Sequence, residues 1–156
     1  MTGPRRVMFF CPTLGQGGAD RVVLTLLRNL DRTRVLPSLA LVKHEGPFIS
    51  DVPMDVRVHV LGSRRLLLAA PDLARLLRRE RPDVMFSTHG GANIIASLAH
   101  ALARSPARLV LSERSALLRS DRSDLRRALE IPAKRITYRR ANLITAVSLG
   151  VAKELV

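Results

Sequence analysis

Residues 6–30 read RVMFFCPTLGQGGADRVVLTLLRNL and contain the pattern that decides the fold. The apolar run Arg6–Cys11 predicts a short buried β-strand, which Pro12 ends. A glycine-rich loop, Gly15–Gly18, follows this strand. Across Asp20–Leu30 the apolar residues recur at helical spacing along one face. A strand, a glycine loop and a helix in this order are typical of the first unit of a parallel α/β sheet.

The same alternation of strand-like and helix-like segments continues along the whole chain. Near-continuous apolar strands indicate a parallel sheet covered on both faces. Because crossovers in such sheets are right-handed, we predict a single doubly wound, mainly parallel Rossmann-like α/β domain over residues 1–156, with helices on both faces. The further strands are predicted at Pro37–Val42, Val56–Leu61 (alternating in and out), Asp83–Ser87, Arg108–Leu111 and Asn142–Val147. The further helices are predicted at Ser63–Arg81 with a break at Pro71, at Ala92–Ala103, at Ser123–Arg140 with a break at Pro132, and after a capping Ser148.

The composition limits the partners. An aromatic content of 3% disfavours a surface for single-stranded nucleic acid, which needs aromatic platforms for base stacking, and no nucleic-acid partner is expected. Cys11 is the only cysteine, which excludes an internal disulfide and a cysteine-based zinc site. The four histidines do not form a convincing metal set, so no metal is expected. No apolar run reaches the roughly 18 residues of a membrane-spanning helix, and a cytoplasmic location is predicted.

The formal net charge of +13 predicts attraction to polyanions such as nucleic acid, anionic lipid or phosphorylated substrates. The alternative is an arginine-rich surface that is only solvated. One basic segment interleaves arginines with leucines, as in a helix that lies against anionic lipid, or in a sheet-covering helix with a solvated arginine face. Its residues are Arg64, Arg65, Arg75, Arg78, Arg79 and Arg81 with Leu66, Leu67, Leu68, Leu76 and Leu77.

In doubly wound folds, ligands bind beyond the carboxyl ends of the strands. That rule selects four loops here: Gly15–Gly18, Thr88–Asn93, Ser112–Ser115 and the loop at Ser148. The first two contain paired glycines before a helix N-terminus, where exposed N–H groups suit a phosphate. The structural alternatives are a tight turn for the first loop and a capping or merely exposed histidine in the second.

Two enzyme classes can be weighed on these residues. A dinucleotide fingerprint, G-x-G-x-x-G, fits poorly because Asp20 occupies the position of its last glycine, but a nicotinamide-binding domain stays open as an alternative. Residues 146–150, AVSLG, are similar to the nucleophile elbow of a hydrolase. That fold requires its acid and its histidine after the serine. Neither Asp nor His follows Ser148, so the hydrolase alternative is excluded.

Three blocks together resemble the N-terminal domain of family 4 glycosyltransferases of the GT-B fold. They are GQGGADRVVLTLLRNLD (15–31), RPDVMFSTHGGANIIASLAHAL (81–102) and ANLITAVSLGVAKEL (141–155), in the family's order. The resemblance implies retaining transfer of a sugar from a nucleotide-diphosphate sugar to an acceptor, in a cleft between two Rossmann-like domains. It implies that this chain is the acceptor-side half, inactive alone. The nucleotide-sugar domain, with the family's two-glutamate motif, is expected outside this chain.

The resemblance also implies roles for individual residues. The nucleotide sugar is a co-substrate, bound mainly by the other domain, and no further cofactor is expected. Many members have a histidine facing the transferred sugar at the end of strand five, where this chain has Arg114, so Arg114 and His89 are the catalytic candidates. If the basic segment lies against anionic lipid, the expected acceptor is lipid-linked or a cell-surface glycan in polysaccharide biosynthesis, reached at the inner face of the cytoplasmic membrane. The residues near the donor diphosphate and sugar would be Gly15, Gly17 and Gly18, and those on the acceptor side Gly90, Gly91, Asn93, Ser112, Glu113 and Ser148.

Overall fold

The computed structural model of the chain describes residues 3–15, 17–114 and 132–155. Its centre is a six-stranded sheet in the order β3-β2-β1-β4-β5-β6, and every neighbouring pair of strands is parallel. This confirms the doubly wound α/β prediction. The strands are β1 Arg5–Cys11, β2 Val35–Leu41, β3 Arg57–Val60, β4 Val84–Thr88, β5 Arg108–Glu113 and β6 Leu143–Ala146.

The helices are α1 Gly18–Asn29, α2 Ala70–Glu80, α3 Gly90–Ala103, α4 over 132–138 and α5 Leu149–Leu155, with short 3-10 turns at Ile49–Asp51 and Leu66–Ala69. The predicted break near Pro71 is confirmed, because the 3-10 turn ends at Ala69 and α2 begins at Ala70. Pro71 lies in the first turn of α2, where its missing N–H would have no partner within the helix. The piece before the break is shorter than predicted and is only the 3-10 turn. Residues 123–131 of another predicted helix lie outside the described residues.

The two faces of the sheet are covered by different helices. Because successive side chains of a strand point to opposite faces, alternate residues pack in different cores. Met8 and Phe10 of β1 pack in one core with α2 and α3, for example with Leu73. Phe9 and Cys11 face the opposite core, which includes side chains of α1. Alternate residues of β1 are therefore buried on opposite faces, as the continuous apolar run Arg6–Cys11 predicts.

The edge strands are less covered than the central four. In β3, Val58 and Val60 are exposed and only His59 is partly buried, so the predicted alternation is weak there. In β6, Leu143 and Ile144 are exposed. An edge strand has a neighbour on one side only, which reduces the burial that its sequence pattern suggests.

The order of the sheet reverses at β1, which pairs with β2 on one side and with β4 on the other. The chain leaves the carboxyl ends of β1 and β4 in opposite directions, so a crevice opens between the two following loops. The first loop leads to α1 and the second leads to α3. This crevice is where the topology predicts a ligand. In the described part of the chain, no helix has the length and apolar character to span a bilayer.

Candidate functional site

A groove of about 600 Å³ occupies this crevice. A cavity of about 660 Å³ lies at the opposite end of the sheet, against the first residues of β1 and β2. Ligands of doubly wound folds bind at the carboxyl ends of the strands, so the groove is the candidate site despite its slightly smaller volume. Its lining includes Gly17, Gly18, His89, Gly90, Gly91 and Arg114 of the predicted set, together with Pro12, Ala19, Leu66, Ala92 and Val147.

The backbone at Gly17 and Gly18 does not need glycine. Gly17 precedes α1 with φ −73° and ψ 154°, an extended conformation open to any residue. Gly18 is not in the positive-φ region either, and a Cβ at Gly18 would meet no described atom within 4 Å. Both residues are exposed. The missing side chains of Gly17 and Gly18 therefore leave open space at the groove, although the backbone conformation does not require glycine at either position.

Helices α1 and α3 both begin at the groove, each with a glycine as its first residue. Among the described residues, no side chain caps either N-terminus with a hydrogen bond. The first N–H groups of a helix have no partner inside the helix and carry the positive end of its dipole. The groove therefore presents two helix N-termini to any anion that enters it.

His89 connects β4 to α3 with φ 89° and ψ 127°, a backbone conformation that side chains rarely adopt. Such a conformation costs on the order of 1–3 kcal/mol and persists where surrounding contacts enforce it. The His89 Nε2 atom lies 2.9 Å from Oδ1 of Asp20, across the crevice. The His89 side chain is 33% exposed, whereas that of Asp20 is 8% exposed. His89 is thus a strained groove residue whose ring is anchored to a buried carboxylate.

Asp20 lies in the first turn of α1 and contacts both sides of the site. Its Oδ2 atom is 3.3 Å and 3.4 Å from the positions that a Cβ would take at Gly15 and Gly17. Burial raises the pKa of the adjacent Cys11 thiol, and the negative charge of Asp20 raises it further, so this thiol is not a nucleophile. No site role was predicted for Asp20 from the sequence. The available signal was an acidic residue two positions after the glycine loop.

Arg114 follows β5 and reaches the groove wall, half-buried. Arg114 forms no ion pair with any described residue. An arginine in a groove lining is a residue type suited to binding an anion. Ser148 lies beside the groove residue Val147, and its Oγ accepts a hydrogen bond of 3.2 Å from the Val151 N–H. This confirms Ser148 as the cap of α5. Ser115 of the predicted loop lies outside the described residues.

Three side chains predicted for the acceptor side do not face the groove. Asn93, Ser112 and Glu113 are buried, since α3 and α4 pack over the end of β5. Glu113 Oε2 is 2.8 Å from Lys134 Nζ and accepts a hydrogen bond of 2.7 Å from Tyr138 Oη. Asn93 donates to Tyr138 Oη and to the Ser112 carbonyl. This geometry assigns the three residues to a buried polar network next to the groove wall, and direct contact with an acceptor stays a prediction for them.

Lys134 and Tyr138 were not among the site residues predicted from the sequence. Both lie in the predicted helix Ser123–Arg140, and nothing in the local pattern distinguishes them from their exposed neighbours. No group of three or more His, Cys, Asp or Glu residues in the described ranges is close enough to hold a metal ion.

The comparisons with known proteins agree with this geometry. The family model of Glycosyltransferase Family 4 matches residues 16–156. No curated protein matches the chain in sequence. Among solved structures, Anabaena HepE (Alr3699), in complex with UDP and glucose, is similar with a TM-score of 0.70 at 18% identity, over 97% of this chain and 40% of that one.

Two other solved structures share the fold. A lipopolysaccharide outer core galactosyltransferase, WaaB, in its apo form, has a TM-score of 0.68 at 10% identity, over 96% of this chain and 41% of its own. MurG from Acinetobacter baumannii has a TM-score of 0.60 at 15% identity, over 92% of this chain and 41% of its own. At these identities the likeness establishes the fold, and the chain spans about 40% of the length of these structures.

Proposed function

Because the chain belongs to glycosyltransferase family 4, we propose that it is the N-terminal, acceptor-side half of a retaining glycosyltransferase. The full protein would transfer a sugar from a nucleotide-diphosphate sugar to an acceptor. A second domain would bind most of the nucleotide, and the 156-residue chain alone would be inactive. The proposal is supported by the family and by the groove at the reversal point of the sheet.

One observation carries the proposal: Gly17 and Gly18 lack side chains where the fold itself does not require glycine. Open space in front of an uncapped helix N-terminus allows a phosphate to approach the backbone N–H groups closely. Arg114 adds a cation to the lining of the groove. In the transition state, negative charge develops on the departing nucleotide diphosphate, and these groups would offset it.

The test is glycosyl transfer by the full-length protein with a panel of nucleotide sugars and lipid-linked acceptors. Gly18→Val is the informative variant, because a Cβ at Gly18 meets no described atom within 4 Å, whereas a valine side chain would block the approach to α1. Gly3→Val is the matched control, since a Cβ at Gly3 also meets nothing within 4 Å among the described residues and lies at the other end of the sheet. We expect transfer by the wild type and by Gly3→Val, and a loss of at least tenfold in Gly18→Val, equivalent to about 1.4 kcal/mol.

Two results would contradict this proposal. Equal transfer by Gly18→Val and the wild type would show that the donor does not approach the glycine loop. Absence of transfer with every donor, in a folded full-length protein, would favour a basic module that binds anionic lipid or nucleic acid.

For the acceptor, we propose a lipid-linked or cell-surface glycan reached from the cytoplasmic face of the membrane. The supporting observation is the segment Arg64–Leu68 beside the groove. Leu66 lines the groove, whereas Leu67 and Leu68 are 76% and 63% exposed and follow exposed arginines. Exposed leucines next to arginines favour an anionic bilayer surface. Leu76 and Leu77, further along the predicted basic segment, are instead part of the core.

Sedimentation with vesicles tests this surface. The full-length protein should bind vesicles that contain phosphatidylglycerol more strongly than vesicles of phosphatidylcholine alone, and salt should weaken the binding. The double variant Leu67→Gln/Leu68→Gln should reduce binding several-fold. Leu36→Gln/Met54→Gln, at exposed apolar residues outside the segment, is the control. Equal binding by both double variants would place the membrane contact elsewhere.

A further inference from the structure

The pair formed by Asp20 and His89 has a geometry that the glycosyltransferase proposal does not use. The two residues come from the loops on opposite sides of the crevice and are 69 positions apart in the chain. Their atoms Oδ1 and Nε2 are 2.9 Å apart, a normal hydrogen-bond distance. The contact therefore ties the start of α1 to the start of α3 directly at the groove.

The contact determines which ring nitrogen is left for a ligand. An ionised carboxylate only accepts hydrogen bonds, so Nε2 must carry the proton that it donates to Asp20. In a neutral imidazole, Nδ1 then has the free lone pair. No described residue forms a hydrogen bond with Nδ1. Because the ring lines the groove and Asp20 is buried, Nδ1 is the nitrogen available to a bound molecule.

The backbone of His89 gives an independent reason to regard this placement as functional. At φ 89° a histidine has a conformational cost that a glycine would not have. The next two residues, Gly90 and Gly91, are glycines, yet the strained position itself is a histidine. A strained non-glycine residue beside a groove points to a role for its side chain.

Resting on the proposed function, we propose that Asp20 is a positioning residue for sugar transfer. Its carboxylate holds Nε2–H of His89, fixes the ring between the two glycine-containing loops, and leaves Nδ1 to accept a hydrogen bond from a hydroxyl group of the sugar substrate. Asp20 is buried and acts through His89 rather than on the substrate. Its Oδ2 atom also fills the space below Gly15 and Gly17, so the same carboxylate supports the glycine loop.

A double-mutant cycle in the full-length enzyme distinguishes positioning from a merely structural role. Asp20→Asn and His89→Gln should each lower kcat/KM about ten- to a hundredfold, the effect of losing one hydrogen bond to a charged group. The double variant should lose no more than the single ones, because Asp20 acts through His89. Asp72→Asn is the matched control. Asp72 lies in the first turn of α2 and accepts a 2.7 Å hydrogen bond from Ser63 Oγ, but does not line the groove. Multiplied losses in the double variant would overturn the proposal.

A spectroscopic measurement tests the pair without turnover. In full-length protein labelled with ¹⁵N-histidine, the His89 signals, assigned by their loss in His89→Gln, should show a protonated Nε2 and an unprotonated Nδ1. A protonated Nδ1 in the wild type would overturn the proposal, even if Asp20→Asn failed to fold. If the wild type transfers no sugar, the proposed function fails, while the NMR result still decides the geometry of the pair. If the wild type transfers sugar and folded Asp20→Asn does so equally, only the positioning role fails.

Discussion

Lys134 Nζ lies 2.8 Å from Glu113 Oε2, and the two side chains are only 4% and 1% exposed. Glu113 ends β5 directly before the groove residue Arg114, and Lys134 belongs to α4. Tyr138 Oη donates to the same carboxylate oxygen. A buried ion pair with an added hydrogen bond thus joins α4 to the end of a central strand. The strand end that presents Arg114 is held by polar contacts as well as by apolar packing.

Removing one member of the Glu113–Lys134 ion pair should destabilise the fold. Lys134→Met should lower the free energy of unfolding by about 3 kcal/mol, because it removes a cation from beside a buried carboxylate. Glu113→Gln/Lys134→Met should be less destabilised than the sum of the single variants by about 1 kcal/mol or more. Urea denaturation of the 156-residue chain measures both values. Strictly additive losses would mean that the two side chains do not interact energetically.

The strained backbone of His89 predicts that glycine is more stable than alanine at this position. His89→Gly and His89→Ala both remove the imidazole, but only glycine adopts φ 89° without strain. His89→Gly should therefore be more stable than His89→Ala by about 1 kcal/mol. Thermal unfolding of the two variants side by side gives the difference. An alanine variant as stable as the glycine variant would show that the backbone relaxes at this position.

Gly46 packs against the backbone of Leu14, the residue before the glycine loop. It has φ 120°, and a Cβ there would lie 1.9 Å from the carbonyl oxygen of Leu14, next to Gly15. Gly46→Ala should cost about 3 kcal/mol or more, since it adds a backbone clash to the positive-φ penalty. Gly62→Ala, with φ 71° and open space around its Cβ among the described residues, should cost about 1 kcal/mol. Comparable losses in the two variants, measured by urea denaturation, would contradict the clash.

His59 should make the chain sensitive to mild acid. Burial lowers the pKa of His59; the Glu80 carboxylate opposes that shift, and Arg79 and Arg57 reinforce it. The unfolded chain therefore binds a proton at His59 more readily than the folded chain does. The free energy of unfolding is thus unaffected by this group above its unfolded pKa of about 6.5, and it falls as the pH drops below that value. His59→Gln should flatten the fall in unfolding temperature between about pH 7 and pH 5. An unchanged slope in this variant would assign the effect to other groups.

The positions of the strands and the location of the groove follow from local pattern. Continuous apolar runs marked the central strands, and glycines after β1 and β4 marked the crevice at the reversal of the sheet. Pro71 marked the start of α2, since proline is favoured in the first turn of a helix. The prediction was weakest for Glu113 and Asn93, whose polar side chains suggested a cleft and are buried.

By itself, the sequence determined the α/β class, the order of strands and helices, and the edge of the sheet at which the groove lies. These properties depend on residue spacing and backbone preference, which are local. Only the tertiary structure decided that Asp20 meets His89 and that Glu113 meets Lys134. These contacts join residues 69 and 21 positions apart, and their partners are chosen by the packing of helices on the sheet. A single charged residue has the same local signature whether it is solvated or buried against a partner, so its role depends on what the fold brings next to it.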